Sequence, residues 1–129
     1  MEKNYKSKLF KIKTFIFDVD GVLTDGKVLV TTEGEMYRAL DTKDGYAMKY
    51  AMMKGFKIAI ISGGTNEGIR NRFQALGVKD IYLGAHEKSA AYDELVNNYK
   101  LKPDEILYIG DDIPDIPLIC LLYTSDAAD

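Results

Sequence analysis

The sequence has little of the residue types that build disulfides and zinc centres. Its 129 residues include one cysteine, one histidine, no tryptophan and three prolines. The single cysteine, Cys120, excludes an internal disulfide, and this agrees with the reducing conditions in which cytoplasmic proteins exist. The single histidine, His86, has no second histidine or cysteine near it in sequence with which to hold zinc.

Long apolar runs and excess positive charge are also missing. No run approaches the roughly 18 apolar residues of a membrane span, so we expect neither a span nor a signal peptide. The net charge is -3 at pH 7, which leaves no basic surface of the kind that binds nucleic acid. Length and composition therefore predict one globular, cytoplasmic domain over residues 1–129, without a membrane or nucleic-acid partner.

The chain does contain a pair of acids at the end of an apolar run. Residues 14–17 are short, apolar and β-favouring, which predicts a buried parallel strand. Asp18 and Asp20 follow directly, at the edge of the sheet where open α/β folds bind their ligands. Side chains two residues apart on an extended backbone share a side, so the two acids need a cation or a shared proton. The alternative interpretation is an acidic turn that caps the strand.

Further apolar runs end in polar turns in the same way. The runs are residues 56–61, 81–83 and 105–109, followed by Ser62-Gly63-Gly64-Thr65, by Gly84 and then Lys88, and by Gly110-Asp111-Asp112-Ile113-Pro114-Asp115. Segments 45–54, 65–76 and 88–99 carry apolar residues at helical spacing. The alternation of strands and helices predicts an α/β fold, a Rossmann-like parallel sheet with flanking helices and right-handed crossovers.

Residues 25–41 depart from this alternation. Two β-favouring runs surround Thr32-Glu33-Gly34, a sequence typical of a hairpin turn. The intervals from Asp20 to Ser62 and from Ser62 to Lys88 are filled by the predicted elements, so neither holds a separate cap domain. We therefore expect an open site that another surface must shield from water. An ordinary surface hairpin is the alternative.

The polar turns supply, in chain order, an acid pair, a hydroxyl, a lysine and a second acid pair. This order resembles the four motifs of the haloacid dehalogenase superfamily, matched here by Asp18-x-Asp20, Ser62, Lys88 and Gly110-Asp111-Asp112. A closer resemblance is to the capless 3-deoxy-D-manno-octulosonate 8-phosphate phosphatases. It rests on residues 17–24, 43–47 and 110–115.

The resemblance implies how the acids act. Asp18 would be the nucleophile that forms an aspartyl-phosphate. Asp20 would protonate the leaving group and then deprotonate the attacking water. Mg²⁺ would be held by oxygen ligands, namely the Asp18 carboxylate, the Asp20 main-chain carbonyl, Asp111 and water.

The resemblance also implies how the phosphoryl group is bound. Residues of the second and third motifs would surround its oxygens with amide, hydroxyl and ammonium donors. The set is Ser62, Gly63, Gly64 and Lys88. Either Asp112 or Asp115 would orient Lys88 or a metal-bound water, and the residues leave that choice open.

A substrate and an assembly follow from the same resemblance. We expect a Mg²⁺-dependent phosphatase for a sugar-acid phosphate, the best candidate being 3-deoxy-D-manno-octulosonate 8-phosphate in lipopolysaccharide biosynthesis. Alternatives are a phosphatase for another nonulosonate phosphate, or a catalytically weak oligomerisation module like those attached to some sugar-acid cytidylyltransferases. Asp20 argues against the module, because a non-catalytic domain has no need of an acid/base residue. The hairpin at residues 25–41 would join a homotetramer whose subunits shield each other's sites.

Two departures from the family pattern qualify these expectations. Many relatives have an arginine where this chain has Gly64, so we expect a substrate-binding positive charge to come from elsewhere. Residues 121–129 do not resemble the family, and they predict a non-family tail on a C-terminally truncated domain.

Overall fold

The apolar runs form a central parallel sheet. The computed structural model describes residues 10–110. The strands of this sheet are β1 (Thr14–Phe17), β4 (Lys57–Ile61), β5 (Asp80–Tyr82) and β6 (Ile106–Ile109). Their order is β5-β4-β1-β6 and all neighbours are parallel. Because β1 lies between β4 and β6, the acid pair that follows it leaves from the middle of the sheet.

Helices cover both faces of this sheet. They are α1 (Thr42–Met53), α2 (Glu67–Leu76) and α3 (Lys88–Tyr99), and a 3₁₀ turn (Pro103–Glu105) precedes β6. One core cluster joins Ile58 and Ile60 to Phe73 of α2, and the other joins Ile16 to Leu95 of α3. Burial on both faces explains why the strands are continuously apolar. The predicted α/β fold is confirmed.

Two helices begin at positions set by their capping residues rather than by apolar spacing. The Asp41 side chain accepts a hydrogen bond from the amide of Lys43, so α1 begins at Thr42, before the predicted residue 45. The Asn66 side chain accepts from the amide of Gly68, so α2 begins at Glu67, after the predicted residue 65. In each case a side-chain oxygen satisfies an amide that the first turn of a helix leaves unpaired.

The predicted hairpin is present but short. It consists of β2 (Leu29–Val30) and β3 (Met36–Tyr37), which pair antiparallel in a separate two-stranded sheet. Within residues 10–110 the elements include no cap domain. No helix in that range is long and apolar enough to span a bilayer.

Candidate active site

Asp18 lies where the central strand ends and the first turn begins. Its amide donates to the carbonyl of Ile109 at 2.9 Å, which extends the pairing with β6 by one residue. Its Oδ1 atom accepts from the amide of Val19 at 2.7 Å. The Val19 carbonyl then accepts from Leu23 at 2.8 Å and closes the turn. These bonds fix a buried carboxylate at the carboxyl edge of the sheet.

Lys88 neutralises this carboxylate. Its Nζ donates to Asp18 Oδ2 at 2.8 Å, and the two side chains are only 11% and 8% exposed. Lys88 is the first residue of α3 and lies 70 residues after Asp18 in sequence, so the fold brings the two charges together. Low solvent access strengthens the attraction between them. The predicted nucleophile and the predicted phosphate-binding lysine are therefore neighbours.

Ser62 ties the turn after β4 to the turn after β5. Its amide donates to the carbonyl of Tyr82 at 2.8 Å, and its carbonyl accepts from the amide of Ala85 at 2.9 Å. Its buried Oγ accepts from the amide of Gly64 at 3.2 Å. The Gly64 amide, which we expected to bind a phosphoryl oxygen, thus has an internal partner in this structure, while Gly63 is exposed.

Tyr82 supports this turn as a neutral residue. Burial, followed by the charge and hydrogen bond of Glu94, raises the pKa of Tyr82 from 10.0 to about 12. Its phenol therefore stays protonated well above the pH at which an ordinary tyrosine ionises.

Asp20 points to a partner that the sequence pattern did not identify. Its Oδ1 accepts from Arg38 Nε at 2.6 Å, and its Oδ2 accepts from Arg38 Nη2 at 3.3 Å. Arg38 directly follows β3 of the hairpin and belongs to none of the four sequence motifs. The one sequence signal was Gly64, since the lack of a side chain there implied that a positive charge comes from elsewhere. A Cβ atom built on Gly64 would lie 3.5 Å from Arg38 Nη2.

The described donors suit a hard divalent cation. The Asp18 carboxylate and the Asp20 main-chain carbonyl offer oxygen ligands, the kind that Mg²⁺ prefers. Gly110 lies against Asp18, because a Cβ atom built on it would be 3.0 Å from the Cβ of Asp18. Asp111, Asp112 and Asp115 lie outside the described residues. Among residues 10–110 no group of three or more candidate metal ligands gathers, and the expected set needs Asp111 as its second carboxylate.

A family model that matches more than half of the chain shows the family to which the chain belongs. The model of the haloacid dehalogenase-like hydrolases matches residues 42–119. The chain belongs to the haloacid dehalogenase-like hydrolases. The matched range of this hydrolase family includes Ser62, Lys88 and Asp111, while Asp18 and Asp20 precede it.

Two curated relatives within the haloacid dehalogenase-like hydrolases carry the same name. The chain is 34% identical over 116 residues to the 3-deoxy-D-manno-octulosonate 8-phosphate phosphatase KdsC of Yersinia pestis, covering 90% of this chain and 62% of that protein. It is 33% identical over 113 residues to KdsC of Escherichia coli K12, covering 88% and 60%. The chain therefore spans about 60% of the length of these relatives.

Solved structures of the same hydrolases resemble this fold closely. The Yersinia pestis 3-deoxy-D-manno-octulosonate 8-phosphate phosphatase has a TM-score of 0.80 at 33% identity, over 86% of this chain and 60% of that one. The Moraxella catarrhalis enzyme, solved with a magnesium ion, a phosphate ion and a KDO molecule, has a TM-score of 0.78 at 32% identity, over 89% and 66%.

Proposed function

We propose that this chain is the catalytic part of a Mg²⁺-dependent phosphatase that works through an aspartyl-phosphate. The observation that carries the proposal is the buried Asp18 carboxylate paired with Lys88 at 2.8 Å. A buried ion pair at the carboxyl ends of the strands adds little net stability, because taking both charges out of water costs free energy. It suits a nucleophile that must approach an anionic phosphoryl group beside a compensating cation.

In the first step an Asp18 carboxylate oxygen attacks phosphorus, and the bond from phosphorus to the leaving alkoxide breaks. Asp20 gives its proton to that alkoxide, which departs as the alcohol. Lys88 offsets the charge of Asp18 and of the phosphoryl oxygens as they meet. Ser62 retains a hydroxyl proton that can be donated to one of those oxygens.

In the second step water attacks the aspartyl-phosphate. Asp20, now ionised, accepts a proton from this water, and the bond between phosphorus and Asp18 breaks. The products are inorganic phosphate and the restored Asp18 carboxylate, with Asp20 protonated for the next turnover. A bound Mg²⁺, held by Asp18, the Asp20 carbonyl and Asp111, would supply charge neutralisation between the carboxylate and the phosphoryl oxygens.

For the substrate we propose a sugar-acid phosphate, with 3-deoxy-D-manno-octulosonate 8-phosphate the leading candidate. The support is the shared name of relatives that match about nine-tenths of this chain. The Moraxella catarrhalis structure holds a magnesium ion, a phosphate ion and a KDO molecule together. Hydrolysis would give the free sugar acid and phosphate.

We also propose that the hairpin joins copies of this chain into a homo-oligomer, a tetramer in the form the resemblance implies. Its apolar side chains are displayed to solvent, with Leu29 66% and Val30 59% exposed and Met36 and Tyr37 about half exposed. Apolar surface of this kind is typically buried in an interface. Replacing Leu29 with Asp should reduce the assembly size in sedimentation, and a wild-type chain that sediments only as a monomer would contradict the proposal.

The function is tested by phosphate release. The wild-type chain and Asp18→Asn should be assayed against sugar-acid phosphates and hexose phosphates, each with Mg²⁺ and with EDTA. We expect release from a sugar-acid phosphate by the wild type in Mg²⁺ only. Release that persists in EDTA or in Asp18→Asn would overturn the mechanism, and preference for a hexose phosphate would overturn the substrate class.

A further inference from the structure

A cation from the hairpin enters the active site. The Arg38 side chain is 11% exposed, although its partner Asp20 is 44% exposed. The two Arg38–Asp20 bonds run between planar groups, so they fix the plane of the carboxylate as well as its position. Among the described residues, Arg38 is the side chain that holds Asp20.

The backbone that carries Arg38 is itself anchored. Asn66 Nδ2 donates to the carbonyl of Met36 at 3.0 Å, while Asn66 Oδ1 accepts from the amide of Gly68 at 2.7 Å. One side chain thus connects the end of β3 to the first turn of α2. Since Asn66 follows the turn that contains Ser62, this bond connects the hairpin to the proposed phosphate-binding loop at Met36, two residues before Arg38.

Gly64 leaves the space that the guanidinium needs. A Cβ atom built on Gly64 would meet Arg38 Nη2 at 3.5 Å and Arg38 Cζ at 3.8 Å. These are ordinary contact distances, so alanine would fit there. A longer side chain at position 64 would extend toward the volume that Arg38 now fills. The absence of a side chain at 64 and the presence of Arg38 are therefore complementary.

We propose that Arg38 is a positioning residue that holds the Asp20 carboxylate for proton transfer. The bond of 2.6 Å anchors Oδ1, and the bond of 3.3 Å leaves Oδ2 as the oxygen that exchanges the proton. Oδ2 gives one proton to the leaving alkoxide and takes one from the attacking water, so Asp20 is unchanged over a turnover. This inference rests on the proposed phosphatase function.

The leaving group distinguishes this role from general support of the fold. A sugar alkoxide needs a proton to depart, whereas the phenolate of an aryl phosphate departs without one. We expect Arg38→Gln to lower kcat for the sugar-acid phosphate by about 10-fold to 100-fold, a fraction of what a positioned acid contributes. For the aryl phosphate the rate of the first step, measured as the burst of released phenolate, should change by less than about threefold, because only the later attack of water then needs Asp20. KM should stay within about threefold for both substrates.

Three further variants make the test specific. Arg38→Lys keeps the charge but offers a point contact instead of a fork, so it should recover only part of the lost kcat. In the Asp20→Asn variant, adding Arg38→Gln should lower kcat no further, because the carboxylate through which Arg38 acts is already absent. Lys27→Gln removes a positive charge from an exposed position before β2 and should leave kcat and KM for both substrates unchanged.

Each opposing result has a defined meaning. A rise in KM for the sugar-acid phosphate with unchanged kcat would overturn positioning and make Arg38 a substrate-binding residue. Equal losses of the first-step rate on both substrates, or additive losses of kcat with Asp20→Asn, would also overturn positioning. Thermal melting of each variant shows whether unfolding causes such a loss. Wild-type activity that Asp18→Asn abolishes and Arg38→Gln retains would overturn this inference alone. A wild type that releases no phosphate in Mg²⁺ would overturn the function and this inference together.

Discussion

Two aspartate–lysine pairs lie at opposite ends of the strands of the same sheet, one at the carboxyl ends (the carboxyl edge) and one at the amino ends (the amino edge). At the carboxyl edge Asp18 meets Lys88 at 2.8 Å, and at the amino edge Asp80 meets Lys57 at 2.9 Å. Lys57 and Asp80 are the first residues of neighbouring strands, whereas Asp18 follows a strand and Lys88 begins a helix. The two pairs have the same charges and nearly the same length.

Their surroundings differ. Tyr99 closes the amino-edge pair from outside, because its hydroxyl donates to Asp80 Oδ1 at 2.9 Å and its ring centroid lies 3.3 Å from Lys57 Nζ. Lys57 lies on an aromatic face, and Asp80 accepts one hydrogen bond from Tyr99 and forms one ion pair with Lys57, so the pair has little capacity for a ligand. The carboxyl-edge pair faces glycine-containing turns instead, with Gly110 on one side and the Ser62 turn nearby. An ion pair indicates chemistry when loops surround it and stability when side chains seal it.

The largest expected difference between the edges concerns the aspartates. Asp18→Asn removes the proposed nucleophile and should lower kcat for phosphate release by at least about 10³-fold. Asp80→Asn keeps an oxygen for the Tyr99 hydroxyl and should leave kcat within about threefold. Steady-state phosphate release measures both. Comparable losses in the two variants would erase the distinction.

The lysines should differ next. Lys88→Met removes the charge that offsets the meeting of Asp18 and phosphate, so kcat should fall by about 10²-fold to 10³-fold. Lys57→Met should keep kcat but lower the free energy of unfolding by about 1–3 kcal/mol, because it leaves the Asp80 carboxylate without its cation. Urea unfolding followed by circular dichroism measures the second effect. A large kcat loss in Lys57→Met would show that the amino edge takes part in the reaction.

A methyl group at each edge sharpens the comparison. A Cβ atom at Gly110 would lie 2.6 Å from Tyr108 Cε1 and 3.0 Å from Asp18 Cβ, so Gly110→Ala should displace Tyr108 or Asp18 and lower kcat. Gly55 has a φ of 97° and open space around its Cβ position. Gly55→Ala should therefore cost only about 1–2 kcal/mol of backbone strain. Unchanged kcat in Gly110→Ala would contradict a close fit beside Asp18.

The smallest effect concerns β5, which begins at Asp80 and ends at Tyr82. Burial first, and Glu94 second, raise the pKa of Tyr82 from 10.0 to about 12. The protonated phenol stabilises the fold fully below pH 10, and this contribution is lost as pH rises through about 12. Tyrosinate absorbance should show late-titrating groups, because burial raises the pKa of Tyr92 as well as that of Tyr82. Tyr82→Phe should remove one of them, and Glu94→Gln should make the Tyr82 contribution titrate earlier. Indistinguishable titrations of wild type and Tyr82→Phe would contradict the shift.

Sequence predicted the sheet well because its strands are buried on both faces. The run that forms β4 is nearly unbroken in apolar residues, and Ile58 to Ile61 are all buried. Helix α3 has the predicted bounds of 88–99. The starts of α1 and α2 were missed because a capping side chain outweighs apolar spacing at a helix end.

The site was predictable only in part. The motif order marked Asp18 and Lys88 as candidates, and the parallel topology explains how residues so distant in sequence meet. Arg38 was missed because its contact with Asp20 depends on how Asn66 anchors the hairpin, and no local periodicity encodes such a contact. Gly64, in place of the arginine of many relatives, indicated that a positive charge is missing there but did not indicate that Arg38 would contact Asp20.

The position of Asp18 after a strand paired on both sides has a consequence for heating. Strand β1 is hydrogen-bonded to β4 and to β6, whereas the hairpin has two paired positions and exposed side chains. Amide protons of the hairpin should exchange with deuterium long before those of β1, because local opening needs fewer contacts to break. On warming, the contact between Arg38 and Asp20 would be lost while the proposed nucleophile Asp18 is still in place, and phosphate release would fall before the sheet unfolds.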